Sequence, residues 1–457
     1  MNKLALSDDI LLKIEKPARY IGGEVNAVVK NKEEVDMRIA FCFPDVYEIG
    51  MSHLGIQILY DMFNQFDGVW CERVYSPWAD LDAVMREEHI PLFALESQDP
   101  IREFDWLAIT IQYEMCYTNI LQVLDLSRIP LLSKDRTDED PIVIGGGPCT
   151  YNPEPIADFF DLFYIGEGET RYAELVDLYR SCRDAKLGRR EFLRRAAKIP
   201  GMYVPAFYQV NYREDGTIAA FTPTEEGIPS TILKEIQMDV SHTYYPKKPL
   251  VPFMRTTQDR VVLEIMRGCI RGCRFCQAGQ LYRPVRERSL EMLKEYAVTM
   301  LKNTGQEEIS LSSLSSSDYT RITELLEKML VEYGIDEFNG PQGRILYVLW
   351  NRDSISIQAL ADGTGLANAT LTSMLDRMER RQLVKRLPAP GDRRKTLIAL
   401  TPKARVLEQK YRAVSERMNE LIYQGFSAEE AAQLEAYLER VLDNVRRAEI
   451  QQNNLKK

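Results

Sequence analysis

Residues 391–404 read GDRRKTLIALTPKA, and they follow LVKRLPAP at residues 383–390. Two alternating apolar runs, 383–388 and 395–401, flank a tip that holds Pro390, Gly391 and the consecutive cations Arg393, Arg394 and Lys395. That pattern predicts a β-hairpin with a basic tip. Working back from it, residues 368–382 carry Leu371, Met374, Leu375 and Met378 at helical spacing, with Leu383 just beyond, as the inner face of a helix. Asn368, Thr370, Thr372, Ser373 and Arg377 fall on or near the opposite side. Short polar residues early in a helix, followed by arginine, suit insertion into a DNA major groove. Further back, the glycines at 363 and 365 allow a tight turn after a short helix at 356–361, for which Ser356 is the N-cap, and PQGRILYVLW at 341–350 is another helix. Beyond the hairpin, Thr401-Pro402 starts one long helix and the Ser427–Glu430 capping box starts another.

Charge supports the same reading. The chain has a net charge of −10, yet residues 331–457 hold 20 basic and 17 acidic side chains, against 38 and 51 in residues 1–330. Between Arg377 and Arg405 there are ten basic residues and two acidic ones. A local excess of that size in an acidic protein marks a polyanion site or, less specifically, a solvated helix face.

The order helix, helix, helix, hairpin, and above all GDRRKTLIALTPKA, resembles the MarR family of winged-helix transcription regulators. The resemblance implies that Asp392 and Arg394 brace the wing and that Arg393 and Lys395, with Arg394, lie at the DNA. It also implies a homodimer built from long terminal helices, an inverted-repeat site on double-stranded DNA and a possible small-molecule effector. The first dimer helix has to come from residues 321–333, where no flexible linker separates it from the preceding segment.

The N-terminal part has another character. MRIAFCF, WLAITIQ, PIVIGG and LFYIG read as buried strands alternating with helices, the first of them over 54–64, which predicts a doubly wound parallel sheet over residues 37–170. Residues 1–36 form an N-terminal extension. Residues 171–256 read as a connector containing a hairpin, YQVNY and TIAAF around Glu214-Asp215-Gly216. In residues 257–331 a strand, RVVLEIM, runs into Cys269, Cys273 and Cys276 in CxxxCxxC spacing, followed by a helix capped by Ser289 and ended near Gly305, a strand EEISLSSL and a helix at 319–331. Three thiolates so spaced can hold three irons of a cubane and leave the fourth for another ligand. A zinc site needs a fourth donor, and the nearest, His242, is remote in sequence; three unligated thiols are the remaining option.

LEIMRGCIRGCRFCQAGQLYRPVRERS, LSSLSSSDY and GGGP…NPEPIADFFDLFYIGEGE together resemble radical-SAM proteins that carry an N-terminal cobalamin-binding domain. The resemblance implies a four-iron four-sulfur cluster on Cys269, Cys273 and Cys276, S-adenosylmethionine beside it with Phe275 in the cluster loop, and cobalamin near Asp45, Tyr47 and Gly50. In that DxHxxG-like outline Tyr47 replaces the ligating histidine, so histidine ligation from the motif is excluded. His53 lies nearby, where a structural, hydrogen-bonded role is the commoner one. Gly145, Gly146 and Gly147 allow close backbone approach to a ligand or simply a tight turn.

The departure is length. Six strand–helix units need on the order of 180 residues, whereas about 70 separate Val261 from Glu332. The sequence therefore predicts a truncated radical-SAM segment joined to a winged-helix domain over 332–457. DNA-binding regulation is the leading function. A radical-SAM enzyme, an iron–sulfur sensor of DNA binding, and a deletion that joined two reading frames are the alternatives. No apolar run reaches the ~20 residues of a membrane span, and MNKLALSDDILLKIEKP lacks a basic head and an apolar core, so a cytoplasmic location without a membrane partner is expected.

Overall fold

MRIAFCF forms strand β1 (Met37–Phe43), whose side chains enter two apolar layers in alternation: Ile39, Phe41 and Phe43 one, Ala40 and Cys42 the other. This is the period of a strand buried on both faces. In the computed structural model, which describes residues 4–306, 308–321, 340–364, 368–389, 392–408 and 433, the chain divides into two units, Met1–Tyr319 and Thr320–Lys457.

In the first unit Val69–Tyr75 is β2, Trp106–Thr110 is β3, Ile142–Gly146 is β4 and Leu162–Tyr164 is β5. They form a parallel sheet in the order β2-β1-β3-β4-β5, extended by an antiparallel β6, Met202–Tyr203. Helices Leu54–Asn64 and Tyr172–Asp184 cover one face through Ile56, Tyr60, Phe63 and Leu175. Helices Ala79–Glu87 and Tyr117–Leu126 cover the other through Leu81, Met85, Ile120 and Val123. The sheet is doubly wound, and its strand order reverses between β1 and β3, where such sheets open a crevice.

Two features differ from the sequence expectation. VWCERVY, which that reading passed over, is β2, with all seven residues buried. Its charges are paired inside: Arg73 with Glu24 at 2.5 Å and Glu96 at 2.6 Å, and Glu72 with Arg38 at 2.5 Å. The segment read as a connector supplies β6 and the helix Tyr172–Asp184, while the basic helix read around Arg189–Lys198 forms as Arg189–Ala196. The hairpin within it forms as expected, as β7 (Tyr208–Tyr212) and β8 (Ile218–Pro223).

The cysteine-bearing segment begins with β9 (Val261–Glu264), then the short β10 (Met266–Arg267) and β11 (Arg286–Glu287), which pair with each other. The helix Leu290–Thr304 follows, with Ser289 Oγ accepting from Met292 N at 3.3 Å and Gly305 in left-handed conformation at φ 71°. β12 (Ile309–Ser312) then pairs parallel with β9. Among the described residues these two strands are the whole of that sheet. Tyr245 caps the backbone of β9: its Oη donates to Val262 O at 2.7 Å and accepts from Glu264 N at 3.1 Å. A side chain thus satisfies part of what a further strand would otherwise bond.

The second unit contains helices Gly340–Asn351, Ile357–Thr364 and Asn368–Arg380. β13 (Ile355–Ser356), β14 (Val384–Ala389) and β15 (Asp392–Leu400) form an antiparallel sheet in the order β13-β15-β14. Ile345, Leu349, Leu360, Leu371, Leu375 and Met378 lie in its apolar core. Ser356 Oγ accepts from Ala359 N at 3.2 Å, and Thr401 Oγ1 from Ala404 N at 3.3 Å, so both expected caps form. Of the helix expected over 319–331, residues 319–321 are not helical and the rest lie outside the described residues, as do nearly all of the first dimer helix and the capping box at 427–430.

Candidate functional site

The carboxyl ends of β1, β3, β4 and β5 open into a cavity of about 440 Å³. Phe41, Ile58, Leu59, Ala108 and Ile144 give it an apolar floor, and β4 ends there in Gly146, with Gly147 next in the chain. Gly147 sits at φ 98°, and a Cβ on it would come within 2.8 Å of the Ile111 carbonyl, so the backbone packs closely here. The opposite wall comes from the cysteine-bearing segment through Glu264, Met266, Arg267, Gly268, Tyr282 and the loop after β12.

An ionic net joins the two walls. Arg267 reaches Glu169 at 2.5 Å, Glu264 at 3.0 Å and Glu167 at 3.1 Å. Arg286 reaches Glu167 at 2.7 Å and Arg288 reaches Glu264 at 2.6 Å. Burial alone would raise the Glu169 carboxyl, but the Arg267 guanidinium outweighs it and holds it below the ordinary range. Burial likewise opposes the Arg267 charge, and Glu264, Glu169 and Glu167 more than restore it.

His53 lines the cavity too. Its Nδ1 is buried without a hydrogen-bond partner, and burial pushes its pKa down to about 4, with Gln112 opposing in part. The imidazole is therefore neutral near pH 7.

The proposed cobalamin residues are not gathered at this cavity. Tyr47 is 1% exposed and its Oη donates to Glu24 at 2.8 Å. Asp45 accepts from Tyr113 Oη and from Val46 N, Gly50 packs on the Tyr75 ring, and Gly145 packs on Phe163. Of the seven cofactor residues named from the sequence, only Gly146 and Gly147 line the cavity.

Cys269 is buried, Cys276 half-buried and Cys273 exposed, and all three are free thiols. Cys269 Sγ accepts from Arg271 N and Cys276 Sγ from Gly279 N, each at 3.4 Å. Phe275 is 92% exposed, pointing away from any packed wall. Gly268, at φ 82°, leads into the loop at a point where a Cβ would meet the Pro284 and Tyr282 carbonyls at 2.7 and 2.8 Å. By chemistry the donor set fits an iron–sulfur cluster: thiols that receive backbone N–H groups suit sulfur carrying negative charge. By geometry, no group of three or more His, Cys, Asp or Glu among the described residues is gathered to hold a metal ion.

In the second unit Asn368, Thr370, Thr372, Ser373 and Arg377 all belong to the helix Asn368–Arg380, and Thr372 and Arg377 are exposed. Asp392, Arg393, Arg394 and Lys395 begin β15, with Asp392 paired to Ala389 of β14. Arg386 of β14 pairs with Asp376 at 2.6 Å and with Glu379, tying this helix to the hairpin. Sequence reasoning had not singled out Arg386, nor Glu167, Glu169 and Arg267. The Gly166-Glu-Gly-Glu169 run after a strand was the available signal for two of them.

Residues 55–205 match the family model for the N-terminal region of radical SAM proteins, and residues 338–396 match the MarR family model. An uncharacterized protein of Methanocaldococcus jannaschii is 28% identical over 290 residues, 63% of this chain and 51% of its own length. The organic hydroperoxide resistance transcriptional regulator of Bacillus subtilis is 33% identical over 86 residues, 19% of this chain and 54% of its own length. The chain thus spans about half the length of the curated relatives it matches. Among solved structures, wild-type MarR (apo form) from E. coli is 28% identical, covering 26% of this chain and 87% of that one, with a TM-score of 0.23. A MarR transcriptional regulator from Methanosarcina mazei Go1 is 21% identical, covering 29% and 94%, with a TM-score of 0.26. A radical SAM N-terminal domain and a MarR-family domain are both present.

Proposed function

We propose that this chain is a DNA-binding regulator of MarR type, dimeric on an inverted-repeat operator, with an incomplete radical-SAM module at its N-terminal side. The observation that carries this reading is the tie between the helix Asn368–Arg380 and the hairpin β14–β15 through Arg386. It ties the helix that this reading assigns to the groove to the hairpin that this reading assigns as the wing. Asn368, Thr370, Thr372, Ser373 and Arg377 read base edges, while Arg393, Arg394 and Lys395 contact the backbone or minor groove. Asp392 and Arg394 brace the wing. The dimer contacts come from helices before and after this element, and an effector binding between them would alter operator spacing.

The test is gel retardation of the flanking promoter fragments by the full chain. Binding is expected at low salt and lost steeply as salt rises. Arg393→Ala should weaken all sequences alike, and Arg377→Ala should change the preference among them by about 1–3 kcal/mol. No retardation of any promoter fragment at low salt removes the proposal.

A second reading, radical-SAM chemistry, is favoured by one observation: two of the three cysteine thiols already accept backbone N–H groups. Cys269, Cys273 and Cys276 would hold a four-iron four-sulfur cluster, which supplies an electron to S-adenosylmethionine when bound. This chain's own part would be to orient the loop through Gly268 and to wall the site with Tyr282. Failure to form 5′-deoxyadenosine after anaerobic reconstitution and reduction rejects it. If the cluster instead modulates DNA binding, operator affinity differs between its oxidised and reduced forms; equal affinities discard the sensor.

A further inference from the structure

The cysteine loop after β10 is held unevenly. At one end Cys269 is buried and its Sγ accepts from Arg271 N; at the other Cys276 is half-buried and its Sγ accepts from Gly279 N. Cys273 between them is exposed, and among the described residues the three thiols are not gathered into one coordinating group. The loop must therefore close to hold iron, and whatever is fixed beforehand lowers the ordering cost of closing. Among the described residues, one side chain joins residues 269–277 by hydrogen bonds to a distant part of the chain. The Arg271 guanidinium grips the Asp318 carboxylate with two bonds, Nε to Oδ2 at 2.7 Å and Nη2 to Oδ1 at 2.5 Å.

Asp318 is itself anchored. Its turn follows β12, whose Ser312 is in register with Glu264 of β9, and leads to the buried Tyr319, whose Oη donates to Arg288 O at 3.0 Å. Ser315 Oγ donates to the same carboxylate at 2.7 Å, and the Asp318 side chain is only 11% exposed. An exposed ion pair contributes little by itself, but a bidentate pair with one member fixed in the fold can position a loop. The guanidinium also lies within electrostatic range of Cys269 and Cys273. Thiolates that bind iron bring negative charge, which a neighbouring cation offsets.

We infer that Asp318, 47 residues beyond Arg271 in sequence, is a positioning residue for the iron–sulfur site. It holds Arg271, and with it the Cys269 end of the loop, in place for the cluster, while the Arg271 charge offsets that of the thiolates. Asp318 acts only through Arg271. The inference rests on the radical-SAM reading of Cys269, Cys273 and Cys276 and adds to it a residue outside their motif.

The experiment uses the full chain, reconstituted anaerobically with ferrous iron and sulfide. It reads iron per chain, the rate at which EDTA bleaches the visible absorbance, and the midpoint potential of the cluster. Asp318→Asn and Arg271→Gln should each lose the cluster to the chelator about tenfold faster than the unaltered chain. The double variant should be no faster than either alone, because the two residues act as one unit. Arg271→Lys, which keeps the charge without the fork, should recover part of the retention. The midpoint potential should fall in Arg271→Gln, which removes a cation, and rise in Asp318→Asn, which leaves that cation without its counter-charge. Simple loss of structure would not give opposite shifts. Arg271 is 58% exposed, so its variants decide the matter if Asp318→Asn does not fold. Equal chelator rates, additive losses or potential shifts of one sign overturn the inference and leave the radical-SAM reading standing. If the unaltered chain takes up no iron, the inference falls together with that reading.

Discussion

The second unit and β2 of the first unit bury very different material. Ile345, Leu349, Leu360, Leu371, Leu375 and Met378 make an ordinary aliphatic core at helical spacing. β2 buries Glu72 and Arg73 at 0% exposure in the middle of its strand. An aliphatic core announces itself residue by residue, because each member is apolar wherever it stands. A buried ion pair does not, since its partners come from elsewhere: Glu24 lies 49 residues before Arg73, and Glu96 lies 23 after. The difference teaches that internal electrostatics, as much as hydrophobicity, decides which segments of the first unit are strands.

The sharpest way to break this comparison is Arg73→Met. It leaves Glu24 and Glu96 facing each other without a counter-charge, and the expected loss is about 3–5 kcal/mol. Urea unfolding followed by tryptophan fluorescence measures it, with Trp70 and Trp106 buried in this unit. A loss below about 1 kcal/mol would mean that the buried carboxylates simply take up protons.

Next in size is the acid side of stability. His53 has its pKa lowered from 6.5 to about 4. A folded state that binds the proton more weakly than the unfolded chain keeps its full stability above pH 6.5 and loses it as pH falls toward 4. The lost contribution is about 3 kcal/mol. His53→Gln should flatten that part of the pH profile, whereas an unchanged slope would place the titrating group elsewhere.

The smallest effect is in the second unit, where no charged side chain is buried among the described residues. Ser356→Ala removes the acceptor for Ala359 N and should cost about 1 kcal/mol. Thermal unfolding of the full chain, with Trp350 reporting on this unit, checks it. A much larger loss would show that the short β13, which ends at Ser356, carries more than a cap.

Legibility followed the same division. The helix Leu54–Asn64, the hairpin at 208–223 and the helix capped by Ser289 were readable because local signals agreed: apolar period, caps and a turn at Gly216. In the candidate sites, Asn368 through Arg377 could be placed on one helix from spacing alone. The cavity could not be foreseen. Arg267 lies 100 and 98 residues after Glu167 and Glu169 and meets them only once the cysteine-bearing segment packs on the sheet. Tyr47 and Gly50 had the outline of a ligand motif, and tertiary packing instead directed Tyr47 to Glu24 and filled the space beside Gly50 with Tyr75.

What the sequence determined alone was the helix Asn368–Arg380 and the hairpin after it, the parallel character of β1, β3, β4 and β5, and the spacing of the three cysteines, because each depends on periodicity or spacing within a few turns of chain. What only the tertiary structure decided was that VWCERVY is a strand, that Tyr245 covers the backbone of β9, and that a cavity lined by tyrosines and an ionic net stands at the carboxyl ends of the parallel strands. Those outcomes depend on charges and hydroxyls finding partners far away in the chain, and pairing of that kind exists only once the fold has brought them within hydrogen-bond distance.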